Sequence, residues 1–360
     1  MTQRERQILQ WIEQDPMISQ EALAEKAGIT RSSVAVHISN LMKKGYIAGK
    51  GYVLRSGTYV AVVGGVNIDI GGKSYAPLVA GDSNPGQVRM SLGGVGRNIA
   101  HNISLLGVEV RLLTAFGDDL YAQRIAASCG ELGIDISSAL QVPGGSTSTY
   151  LYLGGPDGDM SLAISDMDIC SKITPQYLAG RLSLLCNAQL VVVDTNIPEE
   201  SLCYLAENCT APIFADPVST AKAGKLRSIL GKIHTLKPNL LEAELLSGTQ
   251  IKTDDDLRRA ADALLATGMH RVFISLGERG VYAADRHEHL LLPPRRATMV
   301  NATGAGDAFM AGLAWAYLEG TGLYETALAG ASAGAIAIEG AETINPAMSA
   351  SALRAKMQEE

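Results

Sequence analysis

Long hydrophobic runs are missing from this chain of 360 residues. No stretch of ~18 uninterrupted apolar residues occurs, so no membrane span is expected. The opening residues, MTQRERQILQ, are charged and lack the apolar core of a secretory signal, which points to a cytoplasmic protein. Cysteine is scarce: the five present are odd in number and form no Cys-x-x-Cys pair. That pattern argues against a disulfide framework and against a thiolate metal site, and leaves buried free thiols in a reducing compartment as the expectation. There is no Gly-x-x-x-x-Gly-Lys-Ser/Thr, so this is not a P-loop enzyme. No Gly-x-Gly-x-x-Gly follows a first strand either, because GGVGRN has the wrong spacing. Internal repeats and low-complexity tracts are absent as well.

What is present suits a globular protein of two or three units. Hydrophobic residues make up 47% and charged residues 19%, enough for a large core. The net charge of −7 is unevenly spread. Residues 1–55 carry eight Lys/Arg against five Asp/Glu, a basic head on an acidic body, which suggests two units with different partners.

In the head, apolar Ile8, Leu9, Trp11 and Ile12 fall near helical spacing over residues 3–14, and Asp15-Pro16 stops the run. Ser19 and Thr30 are N-cap residues for helices over 20–27 and 31–44, with Gly28 between them. Residues 46–54 read as a short two-stranded wing. This order resembles the winged helix-turn-helix DNA-binding family, whose third helix enters the major groove. The resemblance gives a DNA-binding face made of Arg31, Ser32, Ser33, His37 and Asn40, with Lys43 and Lys44 near its end. A structural cap or dimerisation domain is the other reading, because a charge of +3 is a weak electrostatic footprint.

After Gly57 the pattern changes. Apolar runs at 59–63, 190–193, 213–215 and 271–276 read as buried strands. Segments 98–106, 178–185, 254–266 and 308–318 read as helices. Such alternation implies a parallel sheet covered on both faces, with ligands at the carboxyl ends of its strands. Residues 69–90 and 141–166 break the alternation with Gly, Pro and β-formers.

One decapeptide, NATGAGDAFM from Asn301 to Met310, carries the most chemistry. Gly304, Ala305 and Gly306 run into Asp307 and then into an apolar helical segment. Unpaired N–H groups at a helix N-terminus can cradle an anion where no bulky side chain intervenes. A carboxylate just inside that turn can accept a proton from an incoming hydroxyl, as phosphoryl transfer requires. By itself the same run also suits an ordinary glycine-rich turn before a core helix.

The decapeptide resembles the C-terminal signature of the ribokinase (PfkB) family of carbohydrate and nucleoside kinases. Two more signatures follow the family's order: Gly93-Gly94-Val95-Gly96-Arg97-Asn98-Ile99-Ala100, and Asn239-x-x-Glu242. The resemblance covers about residues 58–345. It implies an α/β fold, a ribokinase-like three-layer α/β/α sandwich with a small β-sheet lid from about 69–90 and 141–166. The winged helix-turn-helix domain would then occupy 1–56 and the kinase domain 57–360.

By the same resemblance, Asp307 is the general base and Gly304, Ala305 and Gly306 form the anion hole. Asn67 and Asp69 bind sugar hydroxyls in a pocket closed by Gly93, Gly94 and Asn98. Asn239 and Glu242 organise Mg2+, through water, and the phosphates of ATP, with Lys237 adding charge nearby. Ser275, Gly277 and Gly280, within SLGERG, form the nucleotide loop. Asn301 departs from the family, which often has Asp at this place in its monovalent-cation (K+) loop. Asn keeps a carbonyl oxygen but loses the charge.

Further stretches resemble a narrower group, the bacterial pseudouridine kinases: DSNPG at 82–86, GGVGRNIA with Arg97, DMDI at 166–169, and HTLKPN at 234–239. They imply phosphorylation of a nucleoside 5′-hydroxyl, with Thr149 and Asp166 beside ribose or base. A ribose- or fructose-type sugar kinase and a nucleoside-sensing transcription regulator are the alternatives. Lid sheets in the family commonly pair, so a homodimer is expected.

Overall fold

The computed structural model describes residues 1–15, 18–47, 59–157 and 159–359. It divides into two compact units, Met1–Thr58 and Tyr59–Glu360. The first holds three helices, Gln3–Gln14, Gln20–Ala27 and Arg31–Lys43, capped by Thr2, Ser19 and Thr30. Ile8, Ile12, Leu23, Val34, Ile38 and Leu41 form its core. The third helix ends one residue earlier than its sequence suggests. Lys44 is exposed but paired: its Nζ lies 2.8 Å from the buried Glu5 carboxylate. That ammonium holds Glu5 down to about 2. The expected wing lies almost wholly outside the described residues.

In the second unit the strands, in chain order, are β1 (Tyr59–Val63), β2 (Asn67–Ser74), β3 (Gly86–Gly93), β4 (Glu109–Leu113) and β5 (Ala115–Phe116). Next come β6 (Leu140–Gln141), β7 (Thr149–Gly154), β8 (Met160–Asp166), β9 (Leu190–Asp194) and β10 (Ile213–Asp216). The last four are β11 (Thr235–Leu236), β12 (Arg271–Ser275), β13 (Val281–Asp285) and β14 (His289–Leu292). The main sheet has the order β14-β13-β12-β11-β10-β9-β1-β4. Strands β12 to β4 along that order run parallel, and β13 and β14 add an antiparallel edge. YVAVV and LVVVD are buried at every position, as strands covered on both faces must be. Separate cores lie on the two faces of this sheet, completing a three-layer α/β/α sandwich.

A second sheet, β3-β2-β7-β8, is the lid. It excludes residues 140–141, which pair with β5 instead. The segment 178–185 is not one helix. It splits into Pro175–Ala179 and Leu182–Asn187, with Gly180 and Arg181 between them. Of the five cysteines, all free, only Cys129 and Cys170 are buried; the other three are half-buried.

Helix Ala305–Leu318 packs on helix Leu323–Ile338 through small residues. A Cβ added at Gly312 would lie 2.6 Å from the Ala329 carbonyl oxygen and 2.9 Å from Ala333 Cβ. Both obstacles belong to a packed helix and cannot swing away. Gly312→Ala is therefore expected to destabilise the unit by about 1–3 kcal/mol through overpacking. Thermal unfolding followed by circular dichroism checks this; an unchanged midpoint would contradict the close approach.

Candidate active site

Parallel strands deliver their carboxyl ends to one rim, and there the chain places charge. Strand β9 ends in Asp194 and its neighbour β10 in Asp216, paired in register. Strand β11 leads directly into Lys237. All three side chains are buried. Asp194 is consumed structurally: it accepts the N–H of Gly65 at 2.9 Å and that of Asn196 at 2.8 Å. Asp216 Oδ1 accepts the Val218 N–H at 2.8 Å. Its Oδ2 lies 3.1 Å from Lys237 Nζ.

Val218 has φ of +64°, and it is the one non-glycine residue with positive φ among the described residues. A β-branched side chain resists that conformation, and such strain clusters at functional sites. Here it turns the Val218 N–H back onto Asp216.

Lys237 points at the glycine turn of the decapeptide. A Cβ built on Gly306 would lie 3.0 Å from Lys237 Nζ. The helix begins at Ala305, three residues earlier than its apolar run suggests, so Gly306 and Asp307 lie in its first turn. Its N-cap is Gly304 at φ +84°, and no side chain caps it. A Cβ on Gly304 would also run into the Thr343 carbonyl oxygen. The first-turn N–H groups thus stay free of side-chain caps beside a buried ammonium, as an anion hole requires.

Asp307 is half-buried. Asn98 Nδ2 donates to its Oδ2 at 2.9 Å, which leaves Oδ1 for another partner. Burial, reinforced by the charge of Asp216, pushes the Asp307 carboxyl up from 3.8 to about 7, against the pull of Asn98 and Lys237. Burial alone would push Lys237 down, but the Asp216 carboxylate outweighs it and Lys237 is raised.

Asn239 stands just before the helix that carries Glu242. It is the N-cap of helix Leu240–Ser247. Asn239 Oδ1 accepts the Glu242 N–H at 2.9 Å, and Glu242 Oε2 accepts the Asn239 N–H at 2.8 Å. Burial raises Glu242 above the usual carboxylate range. The Ser275 N–H donates to Pro238 O at 2.9 Å, which brings the SLGERG loop beside this capping box. Gly277 and Gly280 both have positive φ and bracket that loop's short helix.

On the lid side, Asn67 Nδ2 donates to Asp69 Oδ1 at 2.6 Å. Asn67 pairs with Gly93 across β2 and β3, and Gly94 begins helix Val95–Leu105, which carries Asn98. Two of the signatures therefore meet, Asn98 on Asp307 and Gly93 on Asp69. Burial raises Asp69. Arg97 is buried, donating to Ser128 Oγ at 2.9 Å and to Leu92 O at 3.4 Å. Thr149 and Asp166 are partners across β7 and β8; Asp166 is exposed. Asn301 Oδ1 accepts the Thr303 N–H at 2.9 Å. In the head, Arg31, Ser32 and Lys43 are exposed while Ser33 and His37 are half-buried. Asp194, Asp216 and Val218 were absent from the sequence-based site. The available signal was two apolar strands, LVVVD and IFAD, each closing on an aspartate at the ligand-binding rim.

A family model described as pfkB family carbohydrate kinase matches residues 57–350, and one described as winged helix-turn-helix DNA-binding matches residues 1–48. Over 354 residues, the chain is 40% identical to the uncharacterized sugar kinase YeiI of Escherichia coli, covering 97% of each. Over 298 residues it is 40% identical to the pseudouridine kinase of the same organism, covering 82% of this chain and 95% of that one. The solved carbohydrate kinase from Agrobacterium tumefaciens is 30% identical with a TM-score of 0.74, covering 83% of this chain and 97% of that one. A ribokinase from Arabidopsis thaliana, complexed with ribose and ATP, shares the fold at TM-score 0.75 and 21% identity, covering 84% of this chain and all (100%) of that one.

Asp307 should link activity and stability through pH. The unfolded carboxyl ionises near 3.8 and the folded one near about 7. The retained proton favours the fold at low pH, and that contribution is lost as pH rises through about 7. Asp307→Asn should therefore gain stability relative to the parent as pH climbs across this window. It should also lose at least ~10²-fold in turnover. Melting curves and rates at several pH values check both arms; a near-parental rate would remove Asp307 from the chemistry.

Proposed function

The chain belongs to the pfkB family of carbohydrate kinases, phosphotransferases that act on an alcohol group, and on that premise we propose that it phosphorylates the 5′-hydroxyl of pseudouridine from ATP. The observation that carries the reading is the half-buried Asp307 carboxylate in the first turn of an uncapped helix N-terminus, near a buried ammonium. Identity to a pseudouridine kinase over nearly its full length supports the nucleoside.

The step balances with these residues. Asp307 takes the hydroxyl proton. The freed oxygen lone pair forms a bond to the γ-phosphorus, and the bond from that phosphorus to the β–γ bridging oxygen breaks. Its electrons leave with ADP. The N–H groups of Ala305, Gly306 and Asp307, with Lys237, face the charge that spreads over the transferred phosphoryl oxygens. Asn98 keeps Asp307 oriented, and Asp69 and Asn67 would receive the ribose hydroxyls. A substrate lacking those hydroxyls leaves the second oxygen of the half-buried Asp69 carboxylate unpaired and is disfavoured.

Among the described residues no three His, Cys, Asp or Glu side chains gather to chelate a metal. The lone Glu242 carboxylate, with one oxygen uncommitted, fits a magnesium ion that stays largely hydrated. Glu242 and Asn239 would hold that ion through water, and its charge would offset that of the triphosphate.

Two further readings concern partners. The head supports DNA contact through the exposed Arg31, Ser32 and Lys43. The lid supports dimerisation. Strand alternation puts Val88, Met90, Leu151, Leu153, Leu162 and Ile164 on one face, and all six are exposed. A second copy would cover such an apolar patch. Light scattering should give a dimer mass, and Leu162→Asp with Ile164→Asp should give a monomer; a monomeric parent would overturn the dimer.

The substrate is tested with ATP, magnesium and a panel of pseudouridine, uridine, ribose and fructose. Pseudouridine is expected to show the highest kcat/KM. Preference for a free sugar would favour a sugar kinase. No turnover on any acceptor, together with ligand-dependent DNA shifts, would favour a nucleoside-sensing regulator.

A further inference from the structure

We propose that Arg97 is a positioning residue for the acceptor: its buried guanidinium holds the Leu92–Gly93 peptide, and through Gly93 the Asp69 carboxylate, in place. The inference rests on the kinase reading above, which assigns ribose hydroxyls to Asp69 and leaves Arg97 without a role.

A guanidinium stays charged inside a protein, and a buried charge is costly unless it is paired. Arg97 is 3% exposed, and among the described residues no carboxylate lies within ion-pair distance of it. Neutral acceptors take its donors instead. Nη2 donates to Ser128 Oγ at 2.9 Å, on helix Leu120–Glu131, and Nη1 donates to Leu92 O at 3.4 Å. Its Nε is buried with no partner. A neutral side chain of the same length would fill this space without the desolvation, so packing alone does not explain an arginine here.

The nearest titratable groups bring no compensating charge. Burial pushes the Cys129 thiol up. Burial, with the Arg97 charge added, pushes His101 down to about 4. Both are therefore neutral near pH 7. Asp69 is the carboxylate whose field reaches Arg97. Burial raises Asp69, while the Asn67 bond and the Arg97 charge act the other way.

The backbone links the two residues. Leu92 O belongs to the peptide bond that enters Gly93, the last residue of β3. A Cβ added at Gly93 would run into the Asp69 carboxylate, so that carboxylate rests on the Gly93 backbone. Asn67 already holds Asp69 Oδ1 at 2.6 Å, and the Gly93 wall sets where Oδ2 lies. The Arg97 N–H also donates to Gly65 O at 3.3 Å. Arg97 thus ties the end of β3, the loop after β1 and helix Leu120–Glu131 together beside Asp69. Each terminal nitrogen bonds the chain itself and little of the side chain is exposed to a ligand, so its effect on the acceptor passes through Asp69.

The test uses the full-length protein with magnesium, ATP and the best acceptor of the panel above. Arg97→Met keeps the length and removes the donors; it should raise the acceptor KM about ten-fold or more, with KM for ATP at the parental value. Ser128→Ala removes one anchor and leaves the charge; it should raise the acceptor KM about two- to five-fold. Arg97→Lys keeps the charge without the fork and should recover only part of the loss. In an Asp69→Asn background each of these changes should alter the acceptor KM by less than about two-fold, because residues that act through one group are not additive. Full additivity in that background would overturn the proposal, as would an acceptor KM unmoved by Arg97→Met and Ser128→Ala or an equal rise in KM for ATP. If Arg97→Met does not fold, Ser128→Ala and its cycle with Asp69→Asn decide. A parent silent with every acceptor would defeat the kinase reading. Amide hydrogen exchange over residues 90–96 would then decide the proposal: faster exchange in Ser128→Ala is expected, and unchanged exchange would overturn it.

Discussion

A buried ammonium requires a buried carboxylate, and the pair formed by Lys237 and Asp216 sets the electrostatics of the surrounding site. Such a pair contributes little net stability, because desolvation offsets most of its attraction. What it supplies is a cation with one fixed position, beside Gly306, in a place where water cannot screen it. Asp216 acts in two directions at once. It keeps Lys237 protonated and it pushes Asp307 up. A carboxyl lifted to about 7 is better matched to accept a proton near neutral pH than an ordinary aspartate.

The rest of the architecture delivers groups to that pair. Parallel strands place Asp194, Asp216 and Lys237 side by side on one rim. The strained Val218 backbone spends one Asp216 oxygen locally and leaves the other for Lys237. Small residues let helix Ala305–Leu318 lie close on its neighbour, which fixes where its uncapped first turn sits. Helix Val95–Leu105 brings Asn98 to Asp307 from the opposite side. The lid contributes Asn67 and Asp69 on its own two-sided sheet, so the proposed acceptor and phosphate sites draw on different layers.

Much of this was readable before any coordinates. Tyr59–Val63 and Leu190–Asp194 are continuous apolar runs, and only a strand covered on both faces is written that way. Glycine in the left-handed region explains the turn before Asp307, and Asn98 of a second signature reaches that residue. Helix starts were less legible. Residues 95–97 and 305–307 are small or polar, so their helicity is decided by packing and not by periodicity. Asn239 serves as a cap, because its side chain competes for backbone donors. Lys44 pairs with Glu5, a long-range contact that no local pattern shows. The pairing of Asp216 with Lys237 joins the ends of adjacent strands, and no local pattern encodes it.

The central claim is that Asp307 is lifted by burial beside Asp216 and thereby made a competent base. It is tested most directly by 13C NMR titration of carboxyl-labelled aspartate, with Asp307→Asn to assign the resonance. The account predicts a midpoint near about 7 for Asp307, moving down in Asp216→Asn. A midpoint in the ordinary aspartate range, or one indifferent to Asp216, would contradict it.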